Sequence, residues 1–163
     1  MKASKDCRNC FCRWNSPIGS LVIAEDGKGI SELFLGAGAP AGSREEATPL
    51  LLEAMRQLTE YFAGARRDFS LPLSLHGTPF QLADWEALCS IPYGETRSYR
   101  QIAEQIGNPK ACRAVGMANR SNPVIIVVPC HRVIAANGSL GGYACGLDAK
   151  RFLLELEAKG RAL

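Results

Sequence analysis

No run of apolar residues in this 163-residue chain approaches the roughly 18 that a bilayer-crossing helix needs. The first ten residues, MKASKDCRNC, lack the apolar stretch of a secretory signal. Both absences argue against a membrane-spanning or exported protein, so the expectation is a soluble chain of the cytoplasm, or of the nucleus in a eukaryotic source. Charge is not in marked excess either: charged residues make up 21% and hydrophobic residues 47%, values that exclude a disordered or collagen-like chain. The length allows one ordinary domain or two small ones and excludes large multidomain arrangements. Histidine is scarce, with two residues, whereas cysteine is not, with seven. An odd number of cysteines without an export signal points to reduced thiols, metal ligation or thiol chemistry rather than a disulfide framework.

The formal net charge of +3 is unevenly spread. Residues 1–75 carry nine basic and nine acidic side chains, and residues 76–163 carry ten and seven. Between Arg97 and Arg132 the basic residues Arg97, Arg100, Lys110, Arg113, Arg120 and Arg132 face only Glu104. A patch of that kind suits a polyanionic partner.

The first half reads as a small α+β unit. Ser20–Ala24 and Ile30–Leu35 are short apolar runs joined by Glu-Asp-Gly-Lys-Gly, the composition of an antiparallel hairpin. Thr48 before Pro49 places an N-cap ahead of a helix on which Leu51, Met55, Leu58 and Phe62 recur at helical spacing. Ser70–Gly77 lacks a helical period and contains Pro72, so it is the linker candidate, with a domain boundary near residue 76.

The second half is a succession of capped helices. Thr78-Pro79-Phe80-Gln81 and Ser98-Tyr99-Arg100-Gln101 have capping-box form, and Gly107 stands where a left-handed glycine ends the second of these helices. Asn108-Pro109 then opens another helix expected over 110–119, which gives a helix-turn-helix pattern carrying Lys110, Arg113 and Arg120. A last helix, expected over 149–158, turns Phe152, Leu153 and Leu156 toward a core.

The unbroken β-branched run Val124–Val128 is expected to be a buried strand that delivers Pro129-Cys130-His131-Arg132-Val133 at its end. A thiol with an ordinary pKa near ~8.5 is mostly protonated at neutral pH, and a neighbouring base such as His131 can supply the thiolate. Successive side chains of an extended strand point to opposite faces, however, so contact between Cys130 and His131 requires the backbone to turn.

Pro129-Cys130-His131-Arg132-Val133, preceded by Asn122-Pro123 and followed by Gly142-Tyr143 and a terminal helix carrying Glu157, resembles the O6-alkylguanine-DNA alkyltransferases, or methylated-DNA–protein-cysteine methyltransferases. The motifs occur in order over residues 78–163. Residues 1–75 are similar to the family's N-terminal ribonuclease H-like α/β domain, chiefly through Ser16-Pro17-Ile18-Gly19 and the hairpin. The resemblance implies an α+β protein with domains 1–75 and 76–163, the second mostly helical. It implies a single irreversible transfer of an alkyl group from O6 of guanine, and less well O4 of thymine, to Cys130, with no cofactor. His131 would be the water-linked base, Glu157 its orienting carboxylate, Tyr99 the proton donor to the leaving guanine, and Asn122 the hinge before the active-site segment. Arg113 would fill the gap left by a flipped nucleotide. Lys110, Arg120, Arg97 and Arg132 would join it at the minor groove of double-stranded DNA, with the protein acting as a monomer and without a membrane partner. Tyr143, Ala144, Cys145 and Val133 would line the substrate pocket, Cys145 standing where a glycine is common and narrowing the space for bulky alkyl groups.

Cys7, Cys10 and Cys12 form a C-x2-C-x-C cluster that, with His76, offers four candidate ligands for a structural zinc. The spacing is not that of a standard finger, and surface thiols are the alternative. A damaged-DNA-binding alkyltransferase-like or regulatory protein that does not repair is the rival function, and Cys130 argues against it. A cysteine hydrolase is a weaker rival, since His76 is the sole other histidine.

Overall fold

The computed structural model describes residues 9–161. The chain divides into two compact units, residues 1–75 and 76–163.

The first unit is built on a four-stranded sheet in the order β3-β2-β1-β4. Its strands are β1 (Cys10–Ser16), β2 (Gly19–Glu25), β3 (Ile30–Leu35) and the two-residue β4 (Arg44–Glu45). β1 and β2 pair antiparallel from Cys10↔Glu25 to Ser16↔Gly19, and β2 and β3 form the expected hairpin. Residues opposite each other share a face, so Cys12 lies with Ile23 and Trp14 with Leu21, while Phe11 lies with Ala24 and Arg13 with Val22. Helix α1 (Pro49–Phe62), capped by the Thr48 side chain, packs on the unit with Leu51, Ala54, Leu58 and Tyr61 buried. The Cys12 thiol reaches the Met55 sulfur of α1 at 3.5 Å. Phe11, Val22 and Ala24, with Phe34 against them, form a second cluster.

Two sequence expectations change here. Cys10 and Cys12 are not surface thiols: they are buried in β1, and burial pushes the Cys12 thiol up to about 11. Alternation, not chemistry, explains their i, i+2 spacing. Among the described residues no three His, Cys, Asp or Glu side chains gather as a metal site, and Cys7 lies outside the described residues. The linker candidate, in turn, is stitched into the first unit. Gln57 exchanges hydrogen bonds with the Ser70 backbone, Ile30 N–H donates to Pro72 O and Ser74 N–H to Ile30 O, and Ser74 Oγ donates to Asp26 at 2.6 Å.

The second unit contains α2 (Pro79–Cys89), α3 (Tyr99–Ile106), α4 (Cys112–Arg120) and α5 (Leu147–Arg161). Both capping boxes are formed, Thr78 with Gln81 and Ser98 with Gln101, and Gly107 ends α3 at φ 89°. α4 starts two residues later than the sequence suggests, after Ala111 and without a side-chain cap, which leaves Lys110 exposed in the turn between α3 and α4. On α5 the inward face is Ala149, Lys150, Leu153 and Glu157, whereas Phe152, expected in a core, is exposed. A parallel ladder of two residues per strand, β5 (Arg97–Ser98) with β6 (Val133–Ile134), ties the start of α3 to the segment that follows Cys130. No helix of the described residues is long and apolar enough to cross a membrane.

Candidate active site

The run before Cys130 is not the strand its β-branched composition suggests. Residues 125–127 form a turn, closed by Val128 N–H to Val124 O at 3.0 Å. Ile126 takes φ 72°, a left-handed conformation that a β-branched side chain rarely adopts. Asn122 clasps this turn at both ends, donating Nδ2 to Val128 O at 2.7 Å and accepting Val124 N–H at 3.0 Å. It also bonds the Cys130 thiol, an interaction that favours the thiolate. A hairpin-forming strand would have satisfied these backbone groups with a neighbour; here one carboxamide does so.

Cys130–Arg132 then form a single 3-10 turn after Pro129. Successive side chains on such a turn are about 120° apart rather than on opposite faces. That geometry lets two neighbouring residues reach one partner. His131 Nε2 lies 2.8 Å from Glu157 Oε1, while Arg132 donates Nε to Oε2 at 2.9 Å and Nη2 to Oε1 at 2.8 Å. The third Arg132 nitrogen, Nη1, donates to Ile91 O at 2.7 Å. All three side chains are buried.

The electrostatics follow from these contacts. Burial alone would raise the Glu157 carboxyl, but the hydrogen bonds from His131 and Arg132 override it and hold the group well below the ordinary carboxylate range. Burial lowers His131, against the pull of Glu157, so the imidazole is neutral near pH 7. With its Nε2–H given to a carboxylate, its free lone pair is on Nδ1, which is buried and without a partner among the described residues. Burial pushes the Cys130 thiol up to about 11, so it rests as a thiol and needs a base at the moment of attack.

Cys130 opens on a cleft of about 560 Å³ whose opposite wall is α4, through Cys112, Arg113, Gly116 and Arg120. Tyr99, Tyr143 and Ala144 complete the lining used below. Burial raises the Tyr99 hydroxyl, whose oxygen accepts the Gly142 N–H, leaving its own proton to be donated elsewhere. The loop approaches Tyr99 so closely that a Cβ on Gly141, which sits at φ 68°, would lie 2.6 Å from the hydroxyl.

The structure thus brings Cys130, His131, Glu157, Asn122, Tyr99, Tyr143 and Ala144 together, with Arg113 and Arg120 exposed at the rim. Arg97 is half-buried and pairs with Glu95 at 3.0 Å. Two sequence expectations do not hold. Arg132 is not on a nucleic-acid face, because its guanidinium is spent on Glu157. Val133 does not line the cleft: its side chain is wholly buried in β6, and its carbonyl accepts Lys150 Nζ at 2.6 Å. Cys145 is half-buried, on the turn closed by Gly146 N–H to Tyr143 O, and close enough to Cys130 and Tyr143 for its charge to raise both.

Lys150 went unread in the sequence. It is fully buried, donates also to Gly142 O at 3.2 Å, and so joins the pocket loop to β6; burial lowers it to about 8. The available signal was its spacing, three residues before Leu153 and seven before Glu157 on one helical face.

Comparison with known proteins agrees with this geometry. Residues 79–159 match the family described as 6-O-methylguanine DNA methyltransferase, DNA binding domain, and residues 13–75 match its ribonuclease-like domain. The methylated-DNA–protein-cysteine methyltransferase of Methanosarcina acetivorans is 51% identical over 151 residues, covering 90% of this chain and 97% of that protein. The constitutive enzyme of that name from Bacillus subtilis is 49% identical over 157 residues, with 91% and 95% covered. Among solved structures, Mycobacterium tuberculosis OGT in complex with DNA superposes with a TM-score of 0.87 at 46% identity, covering 93% and 94% of the two chains.

Proposed function

The chain belongs to the 6-O-methylguanine DNA methyltransferase family, and from that premise we propose how its own residues carry out direct DNA repair. The protein transfers an alkyl group from O6 of guanine in DNA, and less well from O4 of thymine, to a cysteine in one irreversible turnover. Cys130 is the acceptor. The observation that carries this reading is the buried set Cys130, His131, Glu157 and Arg132 at the floor of a cleft walled by a basic helix.

Electrons and protons balance as follows. The Cys130 proton passes to His131 Nδ1, directly or through one water, while Glu157 stabilises the imidazolium that forms. The sulfur bonds to the alkyl carbon, the carbon–O6 bond breaks, and its electron pair stays on the guanine. Tyr99 O–H, freed by the Gly142 bond to its oxygen, supplies a proton to that departing base. Proton exchange with solvent then returns His131 to the neutral imidazole and Tyr99 to the phenol, so that net the thiol hydrogen is exchanged for the alkyl group and no cofactor enters. Because a stacked base cannot reach the floor of the cleft, the nucleotide is flipped, Arg113 filling its place from the minor groove and Lys110, Arg120 and Arg97 meeting phosphates. The DNA complex of the M. tuberculosis relative supports DNA as the partner.

The test is intact mass after mixing with a duplex containing O6-methylguanine: the protein gains the mass of one methylene, mapped to Cys130. An unchanged mass overturns the reading. Arg113→Ala is expected to slow repair of duplex by roughly tenfold or more while leaving reaction with free O6-benzylguanine, which needs no flipping, within about threefold. Equal losses on both substrates remove Arg113 from the flipping role.

A further inference from the structure

Alkyl transfer as derived above gives no role to the buried carboxyl of α2. Asp84 lies on the inward face of α2, fully buried, and among the described residues no cation pairs with it. Burial raises its carboxyl to about 7. Its partner is the carboxamide of Asn119 on α4: in the orientation that satisfies both amide atoms, Nδ2 donates to Asp84 Oδ2 at 2.7 Å and to Val115 O at 3.2 Å. Asn119 lines the cleft that holds Cys130. The neighbouring residue on α2, Trp85, donates its indole N–H to Ala118 O at 2.9 Å. Two consecutive residues of α2 therefore hold two consecutive residues in the last turn of α4, just before the Asn122 clasp.

An apolar side chain would fill the space around Asp84 without the cost of burying a carboxyl, so packing does not account for the residue. What the carboxyl adds is direction, because an acceptor fixed in a rigid interior pins the amide that bonds to it.

We propose that Asp84 is a positioning residue for alkyl transfer: through the Asn119 carboxamide it sets the last turn of α4, and the wall this turn gives the cleft, at the placement that attack by Cys130 requires. The proposal rests on the transfer reading above. Asp84→Asn keeps an acceptor oxygen for Asn119, whereas Asp84→Leu keeps bulk and leaves the amide hydrogen unpaired.

The experiment is single-turnover transfer from a saturating O6-methylguanine duplex, with rate and amplitude recorded separately. Asp84→Leu is expected to keep full amplitude and react at least about tenfold more slowly, with Asp84→Asn within about threefold of wild type. Affinity for undamaged duplex stays within about threefold in both, because phosphate contacts set it. Asn119→Leu reproduces the rate loss, and the double variant is no slower than either single one, as coupled residues require. Any of three results overturns the proposal: a wild-type rate in Asp84→Leu, additive losses in the double variant, or a loss confined to amplitude with the active fraction reacting normally, which marks a structural role alone. Should Asp84→Leu not fold, Asn119→Leu decides, its slowed rate supporting the proposal and a wild-type rate overturning it. A wild-type protein that transfers nothing overturns the transfer reading itself, whereas a competent wild type beside unaffected variants overturns only the role of Asp84.

Discussion

Cys130→Ser is expected to abolish alkyl transfer, by roughly 10³-fold or more, equivalent to about 4 kcal/mol of barrier, while duplex binding stays near the native value. The reason lies in how the thiol is held. Burial raises it to about 11, so the protein keeps no standing thiolate, and attack in the proposed mechanism depends on proton transfer to a neutral His131. A hydroxyl is a far weaker nucleophile and a far weaker acid, so the same base cannot activate it. It is also nearly the same size, and residue 130 is 5% exposed, so the surface that meets DNA is barely touched. The measurement is transfer of labelled methyl from duplex followed by peptide mapping. Residual transfer above about a tenth of wild type would remove Cys130 from its role, and the position to inspect first is Cys112, the other thiol that lines the cleft.

The second large effect is on stability. Arg132→Met is expected to destabilise the second unit by about 3–5 kcal/mol, because it strips the guanidinium from a carboxylate that is 1% exposed and leaves Ile91 O without its donor. A urea titration reads this, with Trp14→Phe as background so that Trp85 reports on its own unit. The pH dependence identifies the cause. Glu157 has a folded value depressed below its ordinary 4.5, so its contribution is fully present above that pH and is lost as pH falls below it. In Arg132→Met, burial is less opposed and the folded value rises, so less stability remains to be lost in acid. The gap between the two proteins therefore narrows as pH falls through about 4.5. A gap that is constant with pH would assign the loss to packing instead.

Much of the local structure was legible because local rules decide it. Thr78 with Gln81 and Ser98 with Gln101 cap their helices through atoms three residues apart, and Gly107 ends α3 because the left-handed conformation there costs a glycine nothing. The resemblance of Pro129-Cys130-His131-Arg132-Val133 and its flanking motifs to the alkyltransferases pointed to the site, because those motifs are short contiguous segments. Other expectations failed where a local pattern had two physical meanings. Cys10 and Cys12 at i, i+2 suit surface thiols as well as a strand's inward face, and β1, with Cys12 opposite Ile23, buries both. Val124–Val128 has strand composition, yet among the described residues no neighbouring strand pairs with it beyond a bridge at Val124, and the Asn122 carboxamide folds it into a turn instead.

By itself, then, the sequence determined the α+β class, the capped starts of α2 and α3 and the basic second half, and its resemblance to the family pointed to Cys130 and His131. Only the tertiary structure decided which charges face solvent and which are buried. Arg113 and Arg132 are indistinguishable as letters, but one stands on the rim of the cleft and the other closes on Glu157 from a 3-10 turn. Lys150 and Asp84 likewise are buried because α5 and α2 turn them inward. A side chain's ionic role depends on its burial and on partners distant in the chain, Glu157 for Arg132 and Asn119 for Asp84, and those are fixed only when the helices pack.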